Sequence, residues 1–563
     1  SQTILRFRKF MGRFFGVMKR SSPSNSSIFR RILIFLIPFL ILLTLAFFQI
    51  FNLMIIRADE FITQADSNRI LKERVFPPRG LILDRNEEIV VENFIRQDLK
   101  VTPSFVEDYS LYISNLSELM NYETSKIEDI FYKKLNEIKP FQSFTLIRNL
   151  NDEQIAKLNL NLSKFSGTEI IPNFSRNVTE GESLGSVVGY LGFASKNSIL
   201  QDPNLKNFSD QQIGLLGIEK EYDDFLRGEI GYKFLEKDSK GNVIKVLSTE
   251  PPKKGKNLKL SIDLELQRTL FKEFSGKKGA LIAIEPETGF IRALISSPSY
   301  DPNYFNNFYS DEIEKILQDE NSPLFNRAVS GQYPPASTLK PFIGLAALEE
   351  QVITWDEKIH DQGEFFVEGD DRPYRGWKEE GHGFVNMESA IAESSDVYFY
   401  NIAFDLTVSS ISPFLAKFGF GSSSKLLGNE SKGILPDKKW KLGQKGEFWF
   451  KGDTINMGIG QGYILTTPLQ IAIAYSALVN GGQLITPRIV ESIDGVATEF
   501  SSERIELKNN ENWELIKKAL VSVVESNKGT AHNLFDPKKR IAGKTGTAQV
   551  KSLINDIKYQ EIR

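Results

Sequence analysis

Tyr333-Pro334-Pro335-Ala336-Ser337-Thr338-Leu339-Lys340 runs into an apolar stretch at residues 342–348, and the join between them decides how this chain is read. The prolines predict an extended approach, because each fixes its own φ and keeps the residue before it out of the helical region. The apolar stretch predicts the helix that follows. A serine at the start of that helix lies near unpaired N–H groups and the positive end of the helix dipole. A lysine three residues on is rotated by about 300°, so the two side chains share a face. A serine hydroxyl is a poor nucleophile until a base takes its proton, and a desolvated lysine with a lowered pKa can do that. The competing reading is a capping serine followed by a surface lysine, and for an isolated S-x-x-K it is the commoner one. The same pattern at 275–278 and 422–425 has nothing around it to support a site.

Two further motifs follow in order. Glu393-Ser394-Ser395-Asp396-Val397-Tyr398-Phe399-Tyr400 sets a hydroxyl and a carboxylate two residues apart beside an aromatic cluster. Ser394 can relay a proton between Lys340 and a leaving amine, and Asp396 can orient Lys340 or accept a substrate amide N–H. A helix cap is the plainer alternative, since Ser and Asp are usual capping residues. Ile541-Ala542-Gly543-Lys544-Thr545-Gly546-Thr547-Ala548 predicts a strand over 540–550 that a substrate backbone can approach closely at its glycines. Lys544 supplies a fixed positive charge there. Thr545-Gly546-Thr547 forms the substrate-binding edge, with both hydroxyls available to a carboxylate. The backbone N–H of Thr547 can join that of Ser337 in an oxyanion hole. A phosphate-binding loop is excluded, because Lys538 stands where that pattern needs glycine.

Composition narrows the chemistry further. The 563 residues leave room for two or three domains, and 41% hydrophobic with 25% charged residues is ordinary for a folded protein. A net charge of -3 gives no reason to expect nucleic acid. With no cysteine and only three histidines (His360, His382 and His532), thiolate chemistry is excluded and multi-histidine metal sites have little material. Residues 1–31 carry Arg6, Arg8, Lys9, Arg13, Lys19, Arg20, Arg30 and Arg31 without an acidic residue, and 32–56 are uncharged and apolar. That span exceeds a signal peptide's apolar region of about 7–15 residues, so a retained anchor is expected. The basic residues before it keep the N-terminus cytoplasmic and send residues after 57 outward, in a bacterium to the periplasm.

Residues 57–255 read as a mixed region, a pedestal for spacing and partner contact. Helical patterning appears over 109–137 and 151–165 and again from Gly217. Pro251-Pro252-Lys253-Lys254-Gly255-Lys256 reads as a linker. Beyond it, apolar runs at 280–284 and 291–295 flank Pro286-Glu287-Thr288-Gly289, which predicts a hairpin. Strands, then a long helical stretch, then a strand at 540–550 predict an α+β domain over 256–563, an antiparallel sheet flanked by helices.

In its ordered trio, and in Asn326-Arg327-Ala328, Gly458-Ile459-Gly460-Gln461-Gly462, Thr467-Pro468-Leu469-Gln470 and Arg79-Gly80 with Asp84-Arg85-Asn86, the chain resembles the class B penicillin-binding proteins. That resemblance implies a peptidoglycan D,D-transpeptidase working on D-Ala-D-Ala stem peptides and inhibited by β-lactams. Asp396 in the second motif, with Trp377-Lys378 and Gly381-His382-Gly383, resembles the elongation type rather than the division type. The elongation type implies a membrane setting, a SEDS-family glycan polymerase and a rod-shape scaffold protein as partners, and no cofactor. No glycosyltransferase domain fits before residue 256, so glycan polymerisation falls to a partner. Some relatives hold zinc; Asp361 and His382 remain as ligands here, but Gly376 and Ser395 stand at the other expected positions, so no metal is expected. Relatives continue with further strands and a closing helix, whereas this sequence runs from Ser1 to Arg563, so an incomplete chain is expected. A β-lactamase or D,D-carboxypeptidase is the alternative enzyme, although no deacylating glutamate is evident. A catalytically silent membrane sensor or scaffold is the alternative outside enzymes.

Overall fold

The computed structural model describes residues 25–56, 70–139, 142–208, 211–237, 243–369 and 373–549. The chain divides into two units, residues 1–75 with 231–251 and residues 76–230 with 252–563.

In the first unit, the helix Asn25–Phe51 passes through Pro38 and ends in a π-turn, Asn52–Ile56. Within it Ile34–Ile56 has a mean hydropathy of 2.6 over 23 residues and none of that window is buried. At ~1.5 Å per residue this matches the roughly 30 Å of bilayer hydrocarbon. The basic residues at 1–24 lie outside the described residues. The strand Gly231–Lys237 pairs antiparallel on one side with Ile70–Val75 and on the other with Val243–Glu250.

The second unit is organised by a seven-stranded sheet that draws strands from either side of the 251–256 segment. Its order runs Val496–Ala497, Val490–Ile493, Leu258–Leu260, Ile82–Leu83, Ile89–Val101 and Phe144–Ile147, with Thr168–Val178 also on Ile89–Val101. Only Leu258–Leu260 against Ile82–Leu83 is parallel. The helical stretch expected over 109–137 forms as two helices, Tyr109–Met120 and Thr124–Glu137. Asn121 breaks it by adopting a left-handed conformation, φ 54°, which asparagine tolerates better than most residues. The predicted hairpin is present as Gly279–Ile284 against Ile291–Ser297, antiparallel.

The predicted strand over 540–550 does not form in residues 541–549. A strand needs a neighbour's ladder, and here one backbone contact, Gly543 N to Leu520 O at 3.1 Å, holds the segment instead. Residue 550 lies outside the described residues.

The main helical core surrounds Lys340–Glu349, Asp396–Leu406 and Glu511–Glu525. Lys340–Glu349 is buried on almost every face, so its sequence reads as a continuous run rather than a stripe. Gly344 permits that burial, because a Cβ there would sit 2.7 Å from Met387 Sδ.

Candidate active site

Ser337 lies in a short 3-10 turn, Ala336–Leu339, that leads directly into the helix Lys340–Glu349. The helix cap is Leu339, so Ser337 has no capping duty. Ala336 is buried in a left-handed conformation, φ 51°, which for a non-glycine residue costs on the order of 1–3 kcal/mol and persists only when neighbours enforce it. They do: Ala336 N donates to Gly460 O at 2.8 Å, and Tyr333 and Thr466 exchange backbone hydrogen bonds at 2.8 Å each. Gly460 is obligatory twice over, with φ 71° and with any Cβ falling 2.1 Å from Ala336 O. Tyr475 Oη donates to Thr338 O at 2.8 Å, clamping the turn from the helix Pro468–Val479. The result is a serine on a rigid ledge.

Lys340 is wholly buried, which excludes the surface-lysine reading. Its Nζ donates to Asp396 Oδ1 at 2.7 Å, to Ser394 O at 2.8 Å and to Ser394 Oγ at 3.3 Å. Burial pushes its pKa down; Asp396 pulls the other way but does not restore the ordinary value. Asp396 Oδ2 accepts from Trp377 N at 3.0 Å, so both carboxylate oxygens are engaged. Trp377 Nε1 also donates to Ser394 O at 3.1 Å.

The capping reading of the second motif is correct for one of its serines. Ser395 Oγ accepts from Tyr398 N at 3.1 Å, capping Asp396–Leu406, and donates to Asp361 Oδ2 at 2.6 Å. Ser394, held at φ 58°, is left to face the lysines. Lys544 Nζ donates to Ser394 Oγ at 2.9 Å and to Thr545 O at 3.0 Å. Ser394 Oγ therefore stands between two amines, the position of a proton relay. The structure changes one expectation: burial, reinforced by the charge of Lys340, pushes Lys544 down to about 7, so its positive charge is conditional rather than fixed.

The third motif is seated on the first. A Cβ on Gly546 would lie 2.9 Å from Thr338 Cγ2 and 3.3 Å from Pro335 O, so glycine lets the segment lie against the Ser337 turn without displacing it. Thr545 Oγ1 lies 2.8 Å from Thr530 Oγ1, while Thr547 is exposed. By contrast, the S-x-x-K at 422–425 is a turn gathered around the Glu430 carboxylate, which accepts from Ser424 N and Lys425 N.

Asp361 and His382 do meet, with His382 Nδ1 2.7 Å from Asp361 Oδ2. Burial pushes the Asp361 carboxyl up, but hydrogen bonds from His382, Ser395 and Gly363 hold it below the ordinary value. Among the described residues, no group of three or more His, Asp or Glu is placed to hold a metal ion. Sequence reasoning missed the roles of Gly460, Tyr475, Trp377 and Thr530. The glycines flanking Ile459 and the Trp377-Lys378 pair were visible signals without an assigned contact; Tyr475 and Thr530 reach the site through long-range folding and carry no local mark.

Known families match most of the chain: the penicillin-binding protein transpeptidase domain over residues 279–561 and the penicillin-binding protein dimerisation domain over 74–260. The chain is 34% identical over 553 residues to the peptidoglycan D,D-transpeptidase MrdA of Haemophilus influenzae, across 96% of this chain and 85% of that protein. The solved complex between a penicillin-binding protein 2 and MreC from Helicobacter pylori is similar with a TM-score of 0.77 at 30% identity, covering 85% of this chain and 90% of that one. A solved peptidoglycan synthase complex that coordinates polymerization and crosslinking gives a TM-score of 0.65 at 25% identity, covering 92% and 88%.

Proposed function

This chain belongs to the class B penicillin-binding proteins, and on that premise we propose how its own residues carry out acyl transfer. The activity is peptidoglycan D,D-transpeptidation of the elongation type, through a serine acyl-enzyme. Ser337 Oγ attacks the carbonyl of the penultimate D-Ala of a stem pentapeptide. Lys340 takes the Ser337 proton as that bond forms. The peptide C–N bond then breaks, and Ser394 passes a proton to the departing D-Ala amine. An amine of a neighbouring stem attacks the acyl-Ser337 ester and restores the serine. Asp396 orients Lys340 throughout. Protonated Lys544 and the Thr545 hydroxyl face the terminal carboxylate, Gly546 admits the substrate backbone, and the N–H groups of Ser337 and Thr547 receive the oxyanion. β-Lactams present the same carbonyl and carboxylate, and acylate Ser337.

One observation carries this assignment. A completely buried lysine stands one turn beyond Ser337, paired with Asp396 and hydrogen-bonded to Ser394, which Lys544 also contacts. The N-terminal apolar helix supports a single-pass anchor in the bacterial inner membrane, with residues 57–255 as periplasmic pedestal and 256–563 as transpeptidase domain. Likeness to the Helicobacter pylori complex and to the synthase complex supports a rod-shape scaffold protein and a SEDS-family polymerase as partners. The test is labelling of the full chain with a fluorescent penicillin, followed by intact mass. A stable adduct that Ser337→Ala abolishes is the expected result; an adduct that survives the substitution overturns the assignment.

A further inference from the structure

Gly529-Thr530-Ala531 belongs to none of the three motifs, yet it touches the third and the residue just before the second. Thr530 N donates to Ala392 O at 3.1 Å, two residues before Ser394. Thr530 Oγ1 lies 2.8 Å from Thr545 Oγ1. The segment is fixed where it leaves the helix Glu511–Glu525: Gly529 N donates to Ser526 O at 2.8 Å and Ala531 N to Val523 O at 3.1 Å. No other residue type fits at 529, because a Cβ would lie 2.2 Å from Val523 O. Lys544 contacts Ser394 Oγ at 2.9 Å, so the contacts close into a ring through Ala392, Ser394, Lys544, Thr545 and Thr530.

We propose that Thr530 is a positioning residue for substrate specificity, one that turns the Thr545 hydroxyl so that its proton faces the substrate's terminal carboxylate. A hydroxyl has one proton to donate and two lone pairs to accept with. When Thr530 Oγ1 donates to Thr545 Oγ1, the Thr545 proton is free for another acceptor. A carboxylate is a stronger acceptor than a neutral hydroxyl, so a bound anion selects that arrangement over its reverse. The backbone of Thr530 is already anchored through Ala392 and does not depend on its side chain. Its hydroxyl therefore acts on ligands that carry the carboxylate and on little else. This rests on the reading of Thr545 as a carboxylate-binding residue.

The test compares second-order acylation rates of the full chain by a penicillin and by its methyl ester, in which the carboxylate is blocked. Thr530→Val slows the free acid by about five- to tenfold, the scale of one lost hydrogen bond, and the ester by less than about twofold. Thr530→Ser, which keeps the hydroxyl, restores the wild-type ratio. Thr530→Ala serves in place of valine if that variant does not fold. Equal losses on both ligands show a merely structural role and overturn the inference. So does an unchanged ratio in Thr530→Val when Thr545→Val collapses it. An unchanged ratio in Thr545→Val overturns the carboxylate role of Thr545 itself, and this inference with it.

Discussion

Two buried charge clusters in this chain use different cations to different ends. In the dimerisation domain, Arg79 pairs with Glu219 and Asp223 at 2.7 Å each, Arg176 with Glu219 at 2.8 Å, and Arg227 with Asp223 at 3.1 Å. Arg176 also donates to Asn93 Oδ1 at 2.9 Å and to Gly80 O at 2.7 Å, tying three segments together. Burial alone pushes the Glu219 carboxyl up, yet Arg176 and Arg79 overcome it and hold Glu219 below the ordinary value. In the active site, Lys340 pairs directly with Asp396, Lys544 meets Lys340 across Ser394 Oγ, and both amines are pushed down. Arginine does not lose its proton in a protein, whereas lysine does so readily when buried. Burial with untitratable cations makes a bracket. Burial with titratable cations makes a proton-handling site.

Lys340→Ala tests that contrast most severely. Removing the base lowers the acylation rate by about 10²- to 10⁴-fold, read by time-resolved penicillin labelling, while the protein remains folded. A loss below tenfold leaves Lys340 without the role its burial suggests. Arg176→Ala does the reverse. It leaves Glu219 with Arg79 as its remaining arginine partner, takes the donor from Gly80 O, and costs about 1–3 kcal/mol of stability by denaturant melt, with little change in the acylation rate of the folded protein. The sign of its pH dependence follows from Glu219. A depressed carboxyl contributes stability above its unfolded pKa of about 4.3 and loses it as pH falls through the folded pKa. The gap between wild type and Arg176→Ala is therefore widest near neutrality and narrows in acid. The smallest effect belongs to Trp377→Phe. It removes the indole donor to Ser394 O but keeps the backbone donor to Asp396, and slows acylation about fivefold, the scale of one hydrogen bond.

How much of this was written locally in the sequence differs between the two clusters. The three motifs, the hairpin at 279–297 and the N-terminal apolar helix follow from spacing, periodicity and composition, so they were legible. Arg79-Gly80 was visible as a family-like stretch, but its partners Arg176 and Glu219 are far along the chain, and no periodicity joins them. The ladder between Ile89–Val101 and Thr168–Val178 was hidden for the same reason: its pairing is non-local. The strand expected over 540–550 failed because alternation describes a segment's faces, not whether a neighbour lies beside it. The conditional charge of Lys544 is a property of the assembled site, arising from burial beside Lys340.

The most direct measurement is the pH dependence of Ser337 acylation by a labelled penicillin, in wild type and in Lys544→Ala. Lys544 faces the ligand carboxylate as a cation only while it is protonated, and Lys340 is the base. The rate is predicted to fall as pH rises through about 7 in wild type, and this limb is predicted to vanish when Lys544 is removed. A wild-type profile that stays flat across about pH 6 to 9, or a limb unchanged in Lys544→Ala, contradicts the account.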